Sequence, residues 1–249
     1  MEGDPIQGTV TLTGRTFDEE FLSILGSSTS SGLRIVIVEG EPSQPTAVLQ
    51  GGKEFDSGTT CTQGFVVLNN DPNDPTWDKG IMIAAHCGNY PVFGGVTLTT
   101  VEERYQGTAD MQVNKKMAAN TVSNKFRYIN NGSTVIVTVT GQRNWSQQTP
   151  GLGVCQVGNG LGQVQCGQVE TQYFSPSYVS GGNSFIKATA DVCGGDSGGS
   201  VFSGSTAWGI VSGGLTSDGT CPSGSTRYQY LIYGAINLQL GHANAVLNL

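Results

Sequence analysis

The chain has 249 residues, of which 12% are charged and 37 are glycine, and its formal net charge is −7. So acidic and lightly charged a chain argues against nucleic acid, whose phosphates require clustered Lys and Arg. No apolar run reaches the roughly 20 residues of a membrane helix, so no membrane span or membrane partner is expected. Abundant Gly, Ser and Thr suit short strands joined by tight turns rather than a helical bundle, in one large all-β unit or two small domains.

The predicted elements begin with a segment unlike the rest. The first residues lack the charged and apolar blocks of a secretion signal, so any such signal is expected to be trimmed or absent. Thr9 to Thr13 alternates like a strand. Thr16-Phe-Asp-Glu then supplies an N-cap with an acid three residues on, predicting a short helix through Leu25. Leu33 to Val38 is a second strand, and Glu41-Pro-Ser-Gln-Pro45 reads as a linker. Residues 1–46 hold no cysteine.

From Val48 onward the pattern is all-β. Gly64 to Leu68, Gly80 to Ala84, Val96 to Thr99, Thr134 to Val139, Ser200 to Phe202 and Trp208 to Val211 are strand-like. Turn clusters such as Asn69 to Pro75 and Asn130 to Ser133 separate them, a rhythm typical of barrels and sandwiches. The tail from Ile232 to Val246 is predicted to be the one substantial helix.

Six cysteines stand at Cys61, Cys87, Cys155, Cys166, Cys193 and Cys221. An even count without a CxxC pair reads as three disulfides rather than a zinc site, and fifteen pairings are possible. Local pairing, 61 with 87, 155 with 166 and 193 with 221, is the simplest because each bond then clips one loop-sized segment. Disulfides imply an oxidising compartment and hence secretion. Neither a metal nor a cofactor is expected.

The chemistry concentrates in Gly194-Gly-Asp-Ser-Gly-Gly199. A serine hydroxyl is a poor nucleophile near neutral pH and needs both a base and oxyanion donors. Glycines around Ser197 let the backbone bend so that the amides of Gly195 and Ser197 converge on a developing oxyanion. Of two histidines, His86 follows small alanines and precedes Cys87, which suits a ring held at a strand-to-loop junction. Asp110, at the start of a strand-like run, is the expected carboxylate partner. Glu102 and Glu103 are rivals, but beside Arg104 they read as a solvated face.

Ala84-Ala-His-Cys87 and Gly195-Asp-Ser-Gly-Gly199 together resemble the signatures of chymotrypsin-like serine proteases. Gly51-Gly-Lys-Glu-Phe55, Cys61-Thr-Gln-Gly-Phe65, Val154-Cys155, Gln165-Cys-Gly167 and Val211-Ser-Gly-Gly214 narrow the resemblance to the bacterial streptogrisin and α-lytic protease branch. It implies two six-stranded antiparallel β-barrels over residues 47–249, with a cleft between them. It also implies a secreted, monomeric endopeptidase acting on polypeptides through an acyl-enzyme, with Ser212, Gly213 and Gly214 pairing with the substrate backbone. Residues 1–46 then read as the remnant of a pro-region, a small α+β extension of a zymogen.

Two departures from that branch bear on function. An arginine commonly follows the cysteine corresponding to Cys155 and pairs with the aspartate at position 196; here Gln156 stands there, so Arg143 or Lys187 is expected to take over. Asp191 lies six residues before Ser197, the spacing of the pocket-base aspartate of trypsin, which implies a preference for Arg or Lys. Val211 replaces the histidine of glutamate-specific relatives. The alternatives are a catalytically impaired homologue serving as a binding module, and an α/β-hydrolase using Ser197, Asp218 and His242. The latter needs a helix after Ser197, where turn and strand are predicted.

Overall fold

Alternating apolar residues punctuated by glycine turns produce strands over much of the described chain. The computed structural model describes residues 9–14, 34–39, 47–181 and 183–249. The chain divides into two units, Met1–Thr46 and Ala47–Leu249.

In the first unit, strands Thr9–Gly14 and Arg34–Glu39 pair in parallel, from Thr9 opposite Arg34 to Gly14 opposite Glu39. Parallel neighbours require a crossover connection rather than a hairpin. The helix predicted from Thr16 to Leu25 falls outside the described residues.

The second unit opens with two sheets. Strands Ala245–Leu247, Phe65–Asn69, Lys79–Ile83, Ala109–Lys115 and Thr99–Gln106 form one in that spatial order, all antiparallel. Ser133–Thr138, Asn120–Asn130 and Ala47–Gly51 form the other, the last pairing in parallel with its neighbour. The C-terminal half is an antiparallel ring. Thr206–Thr220, Ser200–Ser203, Gly153–Gln156, Gln165–Phe174, Phe185–Ala188 and Thr226–Ala235 pair in sequence, and the last pairs back onto the first. Closure of this kind leaves none of the six without a partner on either side.

Val154, Val169, Ile186, Val201, Trp208, Leu231 and Tyr233 pack together as one core. The buried Tyr233 hydroxyl donates to Gln148 Oε1 at 2.8 Å, and Gln148 Nε2 donates to the Trp208 carbonyl at 2.9 Å, so these polar groups are satisfied. A second core joins Phe65, Val67, Met82, Met111 and Phe126 from the N-terminal sheets to Phe202 and Ile210 of the ring. The Phe126 and Phe202 rings meet at 4.4 Å. This shared apolar seam sets the two halves of the second unit against each other.

The helix predicted over Ile232 to Val246 is corrected to Ile236–His242. Leu231, Ile232 and Tyr233 are fully buried in the strand Thr226–Ala235, where ladder pairing overrides the helical pattern. Beyond the helix, Asn244 adopts φ +46°, a left-handed turn that releases Ala245–Leu247 as a strand. Among the described residues no helix is long and apolar enough to cross a membrane.

Candidate active site

Ser197 sits in a tight turn between strands Val192–Cys193 and Ser200–Ser203. Two positions in that turn require glycine: Gly195 has φ +103° and Gly198 has φ +83°. A Cβ on Gly198 would also lie 2.6 Å from the Thr62 carbonyl oxygen and 2.9 Å from Ile83 Cβ. The turn is anchored to the opposite half of the unit through Thr62, whose N–H donates to Ser197 O and whose Oγ1 donates to Gly195 O, each at 2.8 Å. The amides of Gly195 and Ser197 donate to no backbone acceptor among the described residues.

His86 lies in the single turn Ala85–Cys87 that follows strand Lys79–Ile83, and a disulfide ties Cys87 to Cys61. The other bonds join Cys155 to Cys166 and Cys193 to Cys221. Asp110, second in strand Ala109–Lys115 and 2% exposed, faces this turn. Its Oδ1 accepts the N–H groups of Ala85 at 2.8 Å and His86 at 3.3 Å. Its Oδ2 lies 2.8 Å from His86 Nδ1 and accepts the Ser212 hydroxyl at 2.6 Å. A proton on Nδ1 facing the carboxylate leaves Nε2 as an acceptor, and Nε2 is 2.8 Å from Ser197 Oγ.

Ser212 therefore has a second role that sequence reasoning missed. Its backbone belongs to the stretch assigned to substrate, yet its side chain holds the carboxylate. The two residues are 102 positions apart, and nothing local to either signals the contact.

Asp196, the residue before Ser197, is wholly buried. The expected cation is absent: Lys187 pairs with Glu170 at 2.7 Å, and Arg143 Nε donates to the Gln147 carbonyl at 2.9 Å. Converging amides take the cation's place. Asp196 accepts the N–H groups of Cys193 at 2.8 Å and Leu161 at 3.1 Å, and Gln156 Nε2 at 3.2 Å. Burial nevertheless outweighs these bonds and pushes its pKa above the ordinary carboxylate value.

A cavity of about 340 Å³ opens beside Ser197 and His86, bounded by Tyr105, Tyr178, Gly194, Ser212 to Gly214 and Tyr228. A Cβ on Gly214 would fall 2.5 Å from Tyr228 Cγ, so the tyrosine packs directly on that backbone. Burial raises the pKa of the Tyr178 hydroxyl, keeping it neutral. Asp191 is not among the lining residues. Its carboxylate pairs with Arg227, and the two border a separate, polar cavity with Gln163 and Thr220. The charged pocket base expected at Asp191 is thus paired with a cation 36 residues away and does not line this cavity.

The rival residues lie elsewhere. Glu102 and Glu103 pair across the sheet with Val113 and Gln112. His242 Nε2 is bonded with Thr108 Oγ1 at 2.7 Å, so it serves Thr108 rather than Ser197.

This geometry has relatives. Residues 37–233 match the family described as Trypsin. The chain belongs to the trypsin family. Streptogrisin-C of Streptomyces griseus is 31% identical over 219 residues, 84% of this trypsin-family chain, which spans 44% of that protein's length. Protease A of Thermobifida fusca is similar in structure, with a TM-score of 0.64 at 28% identity, covering 81% of this chain and 98% of that one. Nocardiopsis protease gives a TM-score of 0.64 at 25% identity, covering 82% and 100%. The all-β architecture is therefore that of the bacterial chymotrypsin-like proteases.

Proposed function

We propose that the chain is a secreted serine endopeptidase that hydrolyses polypeptides through an acyl-enzyme. The observation that carries this reading is the unbroken chain from Ser197 Oγ through both His86 nitrogens to Asp110, with 2.8 Å at each link. As Ser197 Oγ bonds to the scissile carbonyl carbon, its proton passes to His86 Nε2. The buried Asp110 carboxylate stabilises the resulting imidazolium and holds the ring's orientation. The carbonyl oxygen, now an oxyanion, meets the amides of Gly195 and Ser197, which have no backbone acceptor among the described residues. The C–N bond then breaks as Nε2 returns the proton to the leaving amine. Water, activated by the same imidazole, hydrolyses the acyl-enzyme by the reverse sequence.

The cavity lined by three tyrosines and glycine backbone suits an uncharged, apolar or aromatic side chain before the scissile bond. The Ser212–Gly214 backbone, on the cleft side of strand Thr206–Thr220, is suited to receive the substrate as an added strand. Residues 1–46 fit a pro-region remnant that is removed from a monomeric enzyme.

The test is labelling with a fluorophosphonate, with Ser197→Ala, His86→Ala and His242→Ala compared. Labelling lost in the first two variants and kept in the third supports the reading. A wild-type chain that takes no label, even after removal of residues 1–46, refutes it.

A further inference from the structure

A second recess adjoins the nucleophile turn. Thr60, Asn159, Gly160, Gly194 and Gly195 form part of its wall, and Glu54 is the only ionisable residue among the described residues that line it. Gly194 borders both cavities, so the two adjoin in a groove at the nucleophile turn. Its floor is built closely: a Cβ on Gly195 would lie 3.4 Å from both Gly160 Cα and the Thr60 carbonyl oxygen. Thr60 precedes Cys61, which is bonded to the cysteine beside His86, so this wall is fixed relative to the base.

Direction along the groove follows from the chemistry already placed. A substrate whose acyl side lies along Ser212–Gly214, and whose carbonyl oxygen faces the Gly195 and Ser197 amides, must leave past Gly195 toward Thr60 and Glu54. Glu54 is held there by its backbone, which bridges to Thr62 and whose carbonyl accepts Gln63 Nε2 at 3.2 Å. Its side chain is exposed and makes no salt bridge with any described residue. The adjacent cation is turned elsewhere, since Lys53 Nζ donates to the Val48 carbonyl at 2.9 Å and lies over the Phe93 ring.

We infer that Glu54 selects a basic residue on the leaving-group side of the substrate, at the second position after the scissile bond. The inference rests on the endopeptidase reading. It assigns the two sides of the groove different chemistry, with apolar recognition before the bond and charge recognition after it. Because the carboxylate is exposed, the attraction is that of a solvated ion pair, which corresponds to about two- to five-fold in specificity.

The test uses three internally quenched peptides, identical except for Lys, Gln or Glu at the second position after the cleaved bond, each with Phe before it. Ratios of kcat/KM within one preparation do not depend on its active fraction. The wild type should rank Lys above Gln above Glu, Glu54→Gln should flatten the ranking, and Glu54→Lys should invert it. The wild-type ranking should also weaken as salt is raised from 20 mM to 500 mM, about a five-fold shortening of the screening length. An identical ranking in wild type and Glu54→Lys overturns the inference and leaves the endopeptidase reading standing. A wild type that neither cleaves a peptide nor takes a fluorophosphonate overturns both.

Discussion

Gln156 Nε2 donates to Asp196 Oδ2 at 3.2 Å and to the Asp191 carbonyl at 3.0 Å, so one neutral amide spans the floor of the nucleophile turn. Its own Oε1 is buried and has no hydrogen-bond partner among the described residues. The amide is oriented by what it donates to, and its carbonyl bears the cost.

Replacing that amide should loosen the turn. Gln156→Leu fills similar space but removes a donor from a buried carboxylate, which costs about 1–3 kcal/mol. Urea unfolding at neutral pH should show this loss as a lower midpoint with an unchanged slope. Equal midpoints would mean that the amides of Cys193 and Leu161 suffice alone.

Asp196 also makes a prediction about pH. Burial raises its folded pKa above the unfolded value of about 3.9. Its linkage contribution is then fully present below that value and is lost as pH rises through the folded pKa. The stability advantage of the wild type over Asp196→Asn should therefore shrink between acid and neutral pH, as read by urea unfolding at a series of pH values. An advantage that grows with pH would contradict the assignment. Gln156→Arg, which supplies a cation, should reduce the pH dependence.

Ser212 should act on turnover rather than binding. Its hydroxyl donates to Asp110 at 2.6 Å, while the residue lines the cavity beside Ser197. Ser212→Ala keeps the backbone and should lower kcat about ten-fold, the effect of losing one hydrogen bond to a charged group. KM should change little, and Ser212→Thr should restore most of the rate. A rise in KM at constant kcat would assign the side chain to substrate instead.

Asp110→Asn should be far more damaging. An amide can donate to Nδ1 and so favours the wrong imidazole tautomer, with a loss on the order of 10⁴-fold in kcat. Steady-state peptide hydrolysis measures it, while unfolding curves should show the chain still folded.

Asp191→Asn should leave side-chain preference intact. The carboxylate belongs to an ion pair with Arg227 outside the tyrosine-lined cavity. Peptides with Phe before the bond should be cleaved better than those with Arg in both wild type and variant. A selective loss of Arg cleavage in the variant would return Asp191 to the pocket.

What the sequence determined by itself was local. Glycines at 195 and 198 are legible because only glycine readily takes the positive φ that the turn around Ser197 requires. His86, Asp110 and Ser197 are legible because each side chain sits in a short stretch whose residue types suit one chemical task. The all-β character followed from strand-length apolar runs between turn clusters. The rest was decided in three dimensions. The support of Asp196 comes from main-chain N–H groups, which every residue but proline carries and no side-chain pattern marks. The neutralisation of Asp191 by Arg227, the clasp of Ser212 on Asp110 and the conversion of Ile232 to Ala235 from helix to strand each depend on a partner distant in sequence. Charge, burial and ladder pairing across such distances override local propensity, because a buried polar group or strand must find its partner wherever the fold supplies one.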